Sequence, residues 1–457
     1  MKFLLKNGTV VSGEGCRQED VLIDGEKIVE VGRNLEAEGA EILDAAGKLL
    51  FPGFIDGHTH FDLEVAGTVT ADDFETGTRA ALLGGTTFVI DYASQDKGGH
   101  TLKEGLKKWH DKADGKCSCD YSFHMSVVEW NSETEAEIQE MIDEGITSFK
   151  LYMTYPAMIV NDCDLYKILK KLGQCGCFAG VHCENAGVID ALIAEAKKEG
   201  RLGPENHPLV RPDTMEAEAV HRLLAIAKEA DAPVMIVHLT NKKAYEEVMD
   251  AREKGQTVYA ETCPQYLLLE DSVYSKPDFE GAVYVCAPPI RKKEDQDCLW
   301  EALGKEEIQT VATDQCSFSL EQKALGREDF TKIPGGLPGV QTRGTLLYTY
   351  GVREGKITEA QMCKLLSENP AKLYGVYPRK GVIQPGSDAD IVILDPSKED
   401  VISAKTHAYN TDNNPFEGFK LGCTIDDVFL RGHHAVEEGK LKEEKLGTFI
   451  RRQKNML

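Results

Sequence analysis

Two histidines set two positions apart close the apolar run Phe54-Ile55-Asp56-Gly57-His58-Thr59-His60. On a strand, side chains two positions apart point to the same side, so His58 and His60 would present two imidazoles to one point. That suits a metal ion. The competing reading is a hydrogen-bonded histidine pair at a strand end. Further potential ligands follow the same pattern: His182 ends Phe178-Ala179-Gly180-Val181, His238 ends Val234-Met235-Ile236-Val237, and Asp314 ends Thr310-Val311-Ala312-Thr313. A lone histidine at a strand end is usually a structural hydrogen bonder. Four histidines and an aspartate at the ends of four separate strands gain force if one fold gathers those ends.

Lys150, in Ser148-Phe149-Lys150-Leu151-Tyr152-Met153, sits in an apolar strand context. Lysine is almost never fully buried without a partner, and divalent metal would repel its ammonium. One reading pairs it with Asp314 or lets it reach solvent. The other has its neutral amine add CO2, so that a cation becomes an oxygen-donor carbamate able to bridge two metals. Residue types alone favour the first.

The elements that must position these groups alternate in type. Strand runs are expected at 54–60, 86–91, 121–128, 147–153, 178–183, 233–239, 257–261 and 309–314, with helices such as 74–83, 133–144, 165–172, 214–229 and 242–254 between them. Eight strand–helix units in series predict a (β/α)8 barrel of the TIM type, whose chemistry lies at the C-terminal ends of the strands. Residues 53–377 are assigned to this barrel. Residues 1–52 read as short antiparallel strands broken at Asp24-Gly25 and Ala46-Gly47, and the texture returns at Gly381–Pro396 and Thr424–Lys440. Neither end has strands enough for a core, so 1–52 and 378–440 are expected to form one small β domain, followed by a tail at 441–457.

Composition narrows the partners. The chain has 457 residues, a net charge of -24 and an isoelectric point near 5.0, which argues against a nucleic-acid or anionic-membrane surface. No apolar run approaches the ~18 residues of a membrane span, and the N-terminus turns polar too soon for a signal peptide. The 13 cysteines are odd in number and scattered, which suits reduced thiols in the cytoplasm.

Longer motifs carry a resemblance over nearly the whole chain. They are Pro52-Gly53-Phe54-Ile55-Asp56-Gly57-His58-Thr59-His60, Gly84-Gly85-Thr86-Thr87, Ser148-Phe149-Lys150-Leu151-Tyr152-Met153, Val181-His182-Cys183-Glu184-Asn185 and Ile236-Val237-His238-Leu239. Farther on come Glu261-Thr262-Cys263-Pro264-Gln265-Tyr266-Leu267, Pro288-Pro289-Ile290-Arg291, Ala312-Thr313-Asp314 and Leu337-Pro338-Gly339-Val340. In this combination the chain resembles the cyclic amidohydrolases, within them the dihydropyrimidinase/D-hydantoinase group, nearest to the bacterial phenylhydantoinase-type enzymes. The resemblance implies a barrel with a sandwich from both chain ends, two divalent metals (usually zinc) and a homo-oligomer, tetramer or dimer. By motif position, His58, His60 and Asp314 would hold one metal and His182 and His238 the other. Lys150, as an N6-carboxylysine, would bridge them. Tyr155 matches the tyrosine that meets the substrate carbonyl; its plain alternative is an aromatic on the rim.

The implied reaction is hydrolysis of a cyclic amide in a five- or six-membered ureide or imide ring, hydantoin or dihydropyrimidine in type, to an N-carbamoyl amino acid. Asp314 would carry the proton from water to the ring nitrogen, and Tyr155 would stabilise the oxyanion. Three positions depart from the family pattern. Ala287 stands where Ser or Gly is usual, Gly335 where Asn is usual, and Gln315 where His follows the aspartate. The resemblance implies that the positions of Ala287 and Gly335 meet the ring's amide edge through backbone groups, so a locally wider, less polar pocket is expected. Two rivals remain: allantoinase- or dihydroorotase-like action, the latter needing a guanidinium near the mouth, and a silent dihydropyrimidinase-like scaffold, which would have lost metal ligands.

Overall fold

The apolar runs form eight parallel strands, β1 (Phe54–Thr59), β2 (Thr86–Ser94), β3 (Asp120–Ser126), β4 (Ser148–Tyr152), β5 (Phe178–His182), β6 (Val234–Ile236), β7 (Val258–Thr262) and β8 (Thr310–Val311). The computed structural model describes residues 1–457. Each strand hydrogen-bonds to its neighbour in the order β8-β7-β6-β5-β4-β3-β2-β1. The ring closes just beyond β8, where Gln315 bridges Thr59 and accepts from the His60 N–H at 2.8 Å. The result is a (β/α)8 barrel.

Helices follow the strands because polar residues stop the strand and cap the next element. Asp73, Thr101, Asn131, Asn161, Asn185 and Asn241 each accept a backbone N–H in the first turn of the helix that follows. The expected helices 133–144, 214–229 and 242–254 are found at Ser132–Asp143, Asp213–Ala230 and Lys242–Glu253. Two strands are shorter than expected. β6 stops at Ile236 and β8 at Val311 because the chain turns into the left-handed region at His238 (φ 40°) and Asp314 (φ 54°). Side chains at such positions leave the strand direction, at about 1–3 kcal/mol each, and such strain gathers at functional sites.

Both chain ends build the second body. One sheet orders Lys27–Gly32, Asp20–Asp24, Lys2–Lys6 and Glu41–Asp44. The other orders Lys440–Leu441, His433–Glu437, Thr424–Leu430, Ile391–Asp395, Leu49–Pro52, Thr9–Ser12 and Gly15–Gln18. Ile391–Asp395 is the seam, antiparallel to Leu49–Pro52 on one side and to Thr424–Leu430 on the other.

The segment after 441 runs beneath the barrel. Tyr121 N–H donates to Thr448 at 3.1 Å, and Ile450 N–H to Tyr121 at 2.8 Å. Arg452 enters the barrel floor and donates to the hydroxyls of Ser122 (2.9 Å) and Ser148 (2.8 Å) and to the Phe123 carbonyl. At the junction with the sandwich, Lys380 Nζ lies 2.7 Å from Asp120, 2.5 Å from Asp390 and 3.4 Å from Asp388, and Arg431 also pairs with Asp120. All five side chains are buried. No helix is long and apolar enough to cross a membrane.

Candidate active site

The strand ends bring all six expected ligand residues to one mouth. The rings of His58 and His60 lie 5.2 Å apart, and the Nε2 atom of each is 3.1 Å from Asp314 Oδ1. The His238 ring is 5.4 Å from His58 and 4.5 Å from His182. His58, His238 and Asp314 each offer a ligand atom within 4.8 Å of the others. Nδ1 of His238 is buried without a hydrogen-bond partner. Nε2 of His58 also lacks one, since its approach to Asp314 has the distance but not the direction of a hydrogen bond. Buried polar atoms are nearly always satisfied, so an orphaned His58 Nε2 set 3.1 Å from a carboxylate, with His238 in the same group, marks a place for a cation.

Two carboxylates fix which nitrogens stay free. His58 Nδ1 lies 2.6 Å from Glu261, leaving Nε2 for the mouth, and His182 Nε2 lies 2.7 Å from Glu184, leaving Nδ1. Ligating histidines characteristically give their second nitrogen to such an acid. Burial, then the neighbouring His182, holds His238 well below its usual range, so this imidazole stays neutral. Burial pushes the Asp314 carboxyl up, but His58 and His60 overcome it and hold it well below the usual carboxylate range.

Lys150 is 1 % exposed, and no carboxylate lies within 4.0 Å of its amine. Its Nζ instead faces the rings of Tyr92 (4.7 Å) and Tyr152 (5.2 Å). The salt bridge to Asp314 and the solvent-reaching alternative are therefore both absent. Burial brings its pKa down to about 8.

Tyr155, in the loop after β4, has φ 67° and lies half-buried with its ring 5.1 Å from His182. Burial holds its phenol well above 10, so it remains an O–H donor. Arg211 lies 5.9 Å from that ring and donates to Glu184 at 2.7 Å. The sequence reading assigned no part to Glu184, Glu261 or Arg211. Glu184 had a local signal, an acid two positions beyond a strand-end histidine. Arg211 and Glu261 had none, because their partners come from distant segments.

The three departures from the family pattern also have places. The Gln315 side chain accepts from the N–H groups of Gly339 (2.7 Å) and Val340 (3.1 Å) and donates to Asp72. It braces the loop beyond β8. Ala287 and Gly335 lie on neighbouring loops: a Cβ on Gly335 would meet only the Cys286 Cα, at 3.8 Å. The absent side chain therefore leaves open space beside Gly335.

A profile of the amidohydrolase family matches residues 49–435. The chain is 44% identical over 458 residues to a D-hydantoinase of Geobacillus stearothermophilus, covering 99% of this chain and 97% of that one. It is 39% identical to a D-phenylhydantoinase of Escherichia coli (strain SE11), covering 99% and 98%. Among solved structures, dihydropyrimidinase from Brevibacillus agri NCHU1002 superposes with a TM-score of 0.98 at 44% identity over 100% of this chain and 99% of that one. L-hydantoinase from Arthrobacter aurescens superposes with a TM-score of 0.89 at 29% identity, over 98% and 99%.

Proposed function

This chain belongs to the amidohydrolase family, and from that premise we propose that it is a metal-dependent hydrolase that opens five- or six-membered ureide rings to N-carbamoyl amino acids. The observation that carries the reading is the convergence of four histidines, Asp314 and an unpaired Lys150 at one mouth, with two buried imidazole nitrogens left without partners. His58, His60 and Asp314 would hold one divalent ion and His182 and His238 the other, zinc being the metal we favour, with Lys150 shared between them. The Lys150 amine adds to CO2, forming an N–C bond and releasing one proton. Bound metal supplies Lewis acidity and lowers the pKa of water toward neutrality.

The chain's own groups do the rest. The Asp314 carboxylate, kept ionised by His58 and His60, takes a proton from the attacking water and delivers it to the leaving ring nitrogen. The Tyr155 hydroxyl donates to the ring carbonyl oxygen as negative charge develops there. Glu261 and Glu184 hold the two imidazoles in place. Open space beside Gly335 and the small Ala287 side chain favour a bulky ring substituent over bare dihydrouracil. The 13 unpaired cysteines fit a reducing cytoplasm, and the resemblance adds a homo-oligomer, tetramer or dimer.

Dihydroorotase action needs a free guanidinium for the ring carboxylate. Arg211 is at the mouth, but its charge is already matched by buried Glu184. A silent scaffold sits poorly with six ligand candidates in place. The test is hydrolysis of hydantoin, a 5-aryl hydantoin, dihydrouracil, allantoin and dihydroorotate, with metal content measured on the same sample. The expected result is about two divalent ions per chain and fastest opening of the 5-aryl hydantoin. Metal near zero, with no activity restored by zinc, manganese or cobalt, overturns the enzyme reading. Preference for dihydrouracil, unchanged in Ala287→Ser plus Gly335→Asn, overturns the pocket argument alone.

A further inference from the structure

Lys323 is 2 % exposed, yet no carboxylate lies within 4.0 Å of its ammonium. All three of its donors go to backbone carbonyls: Val285 at 3.0 Å, Pro334 at 2.9 Å and Gly336 at 2.9 Å. Burying a charge is expensive unless it is fully hydrogen-bonded, and three acceptors saturate an ammonium. An apolar side chain would fill the same volume without that penalty. What it would not do is grip three carbonyls at once.

Those carbonyls belong to two loops, 285–289 and 334–337, which carry Ala287 and Gly335. The loops also touch directly, through the Gly336 N–H on the Val285 carbonyl at 2.9 Å. In a trans peptide the C=O and N–H of one plane point in opposite directions. With the Pro334 carbonyl turned to Lys323, the Gly335 N–H must face away from it. His207 does the same in the 285–289 loop: its Nε2–H donates to the Cys286 carbonyl at 2.7 Å, so the Ala287 N–H faces away. Neither the Ala287 nor the Gly335 N–H donates to any protein group.

We propose that Lys323 is a positioning residue for substrate recognition, clamping the two loops so that the free N–H groups of Ala287 and Gly335 stay aimed at the ring's amide edge. This rests on the ureide-ring reading above. The clamp acts at a distance: no hydrogen bond joins Lys323 to a proposed metal ligand, and its three bonds all go to backbone carbonyls.

The test is Lys323→Met, with three readouts on the metal-loaded protein. Amide hydrogen exchange in peptides spanning 284–290 and 334–338 should quicken by about 10–100-fold, the factor expected for losing charge-assisted hydrogen bonds. KM for a 5-aryl hydantoin should rise about tenfold with kcat within roughly threefold, since binding geometry rather than the proton carrier is disturbed. Metal content should match wild type. Unchanged exchange in both loops overturns the clamp whatever the activity. Faster exchange with an unmoved KM, or a lower Tm with only a smaller active fraction, makes Lys323 merely structural. A wild type that opens no ring with any metal sinks the functional reading instead, and the exchange measurement still decides whether Lys323 holds the loops. If Lys323→Met does not fold, Lys323→Gln carries the same readouts.

Discussion

Two buried clusters in this molecule look alike by residue type and differ in what fills them. At the mouth, His58, His238 and Asp314 converge with imidazole nitrogens left unpaired. At the junction with the sandwich, Asp120, Asp388 and Asp390 converge just as closely, but Lys380 and Arg431 already sit among them. The junction brings its own cation and is a staple between barrel and sandwich. At the mouth no ammonium or guanidinium lies within 4.0 Å of Asp314, and on the proposed function the cation comes from outside. Ligand-type residues in proximity are thus not enough; the deciding observation is whether the protein has already matched the charge.

Removing the shared group at the mouth should have the largest effect. Lys150→Ala should lose metal and activity together, with turnover falling on the order of 10³-fold or more. Short carboxylic acids supplied with metal should restore part of it. A Lys150→Arg variant that keeps both metals and activity would refute the carbamate. The same operation at the junction should act on stability alone. Lys380→Met leaves Arg431 on Asp120 and Lys27 and Arg379 on Asp388, but buried Asp390 loses its ion-pair partner, and breaking such a buried pair costs about 3–5 kcal/mol. Urea unfolding should show that loss, while metal content and activity per folded molecule stay at wild-type values. Lost metal in Lys380→Met would erase the contrast between the clusters.

Smaller changes sharpen the assignment within the mouth. Tyr155→Phe deletes one oxyanion donor and should lower kcat about 10²–10³-fold with metal retained; unchanged turnover would show the tyrosine to be a rim aromatic. Glu261→Gln keeps the size of the group behind His58 but not its charge, and metal affinity should fall about 10–100-fold in a chelator competition.

The smallest effect separates a satisfied histidine from the ligand set. His207 is buried neutral against the Cys286 carbonyl, its pKa brought to about 3 by burial and then by Arg211. Unfolded, it titrates near 6.5. Between those values the unfolded chain holds the extra proton. His207 therefore makes stability fall as pH drops from about 6.5 toward 3, by at most ~1.4 kcal/mol per pH unit. His207→Gln should flatten that part of the urea-midpoint profile without changing metal content. An unaltered slope would show that this ring protonates in place.

The barrel was legible because its strands are apolar runs that end abruptly in polar residues, with helix-length amphipathic segments between them. His58, His60, His182, His238 and Asp314 were legible for the same reason: position at a strand end is a local property. The inward turns at His238 and Asp314, which shorten β6 and β8, were not, since nothing in a side chain announces left-handed backbone at a non-glycine. Glu261 behind His58 joins residues 203 positions apart, and the Lys323 clamp is a set of side-chain-to-backbone contacts with no pattern in residue type. The sequence reading also left 441–457 as a plain tail. Its polar spacing does not reveal that Arg452 seals the barrel floor.

The seam of the second sheet has a consequence in time. Ile391 pairs with Pro52, about 340 residues away along the chain. Synthesis at ~5–20 residues per second puts roughly 20–70 s between the making of the two strands. Throughout that interval Leu49–Pro52 has an open edge where its central partner will lie, a template for wrong pairing. The last of the proposed ligands, Asp314, emerges before the seam strand does. The mouth can therefore gather while the N-terminal sheet still waits, and Lys380, Asp388 and Asp390 lock the base only afterwards. A ribosome that pauses shortly before Ile391 would hold every proposed ligand residue on an unfinished protein.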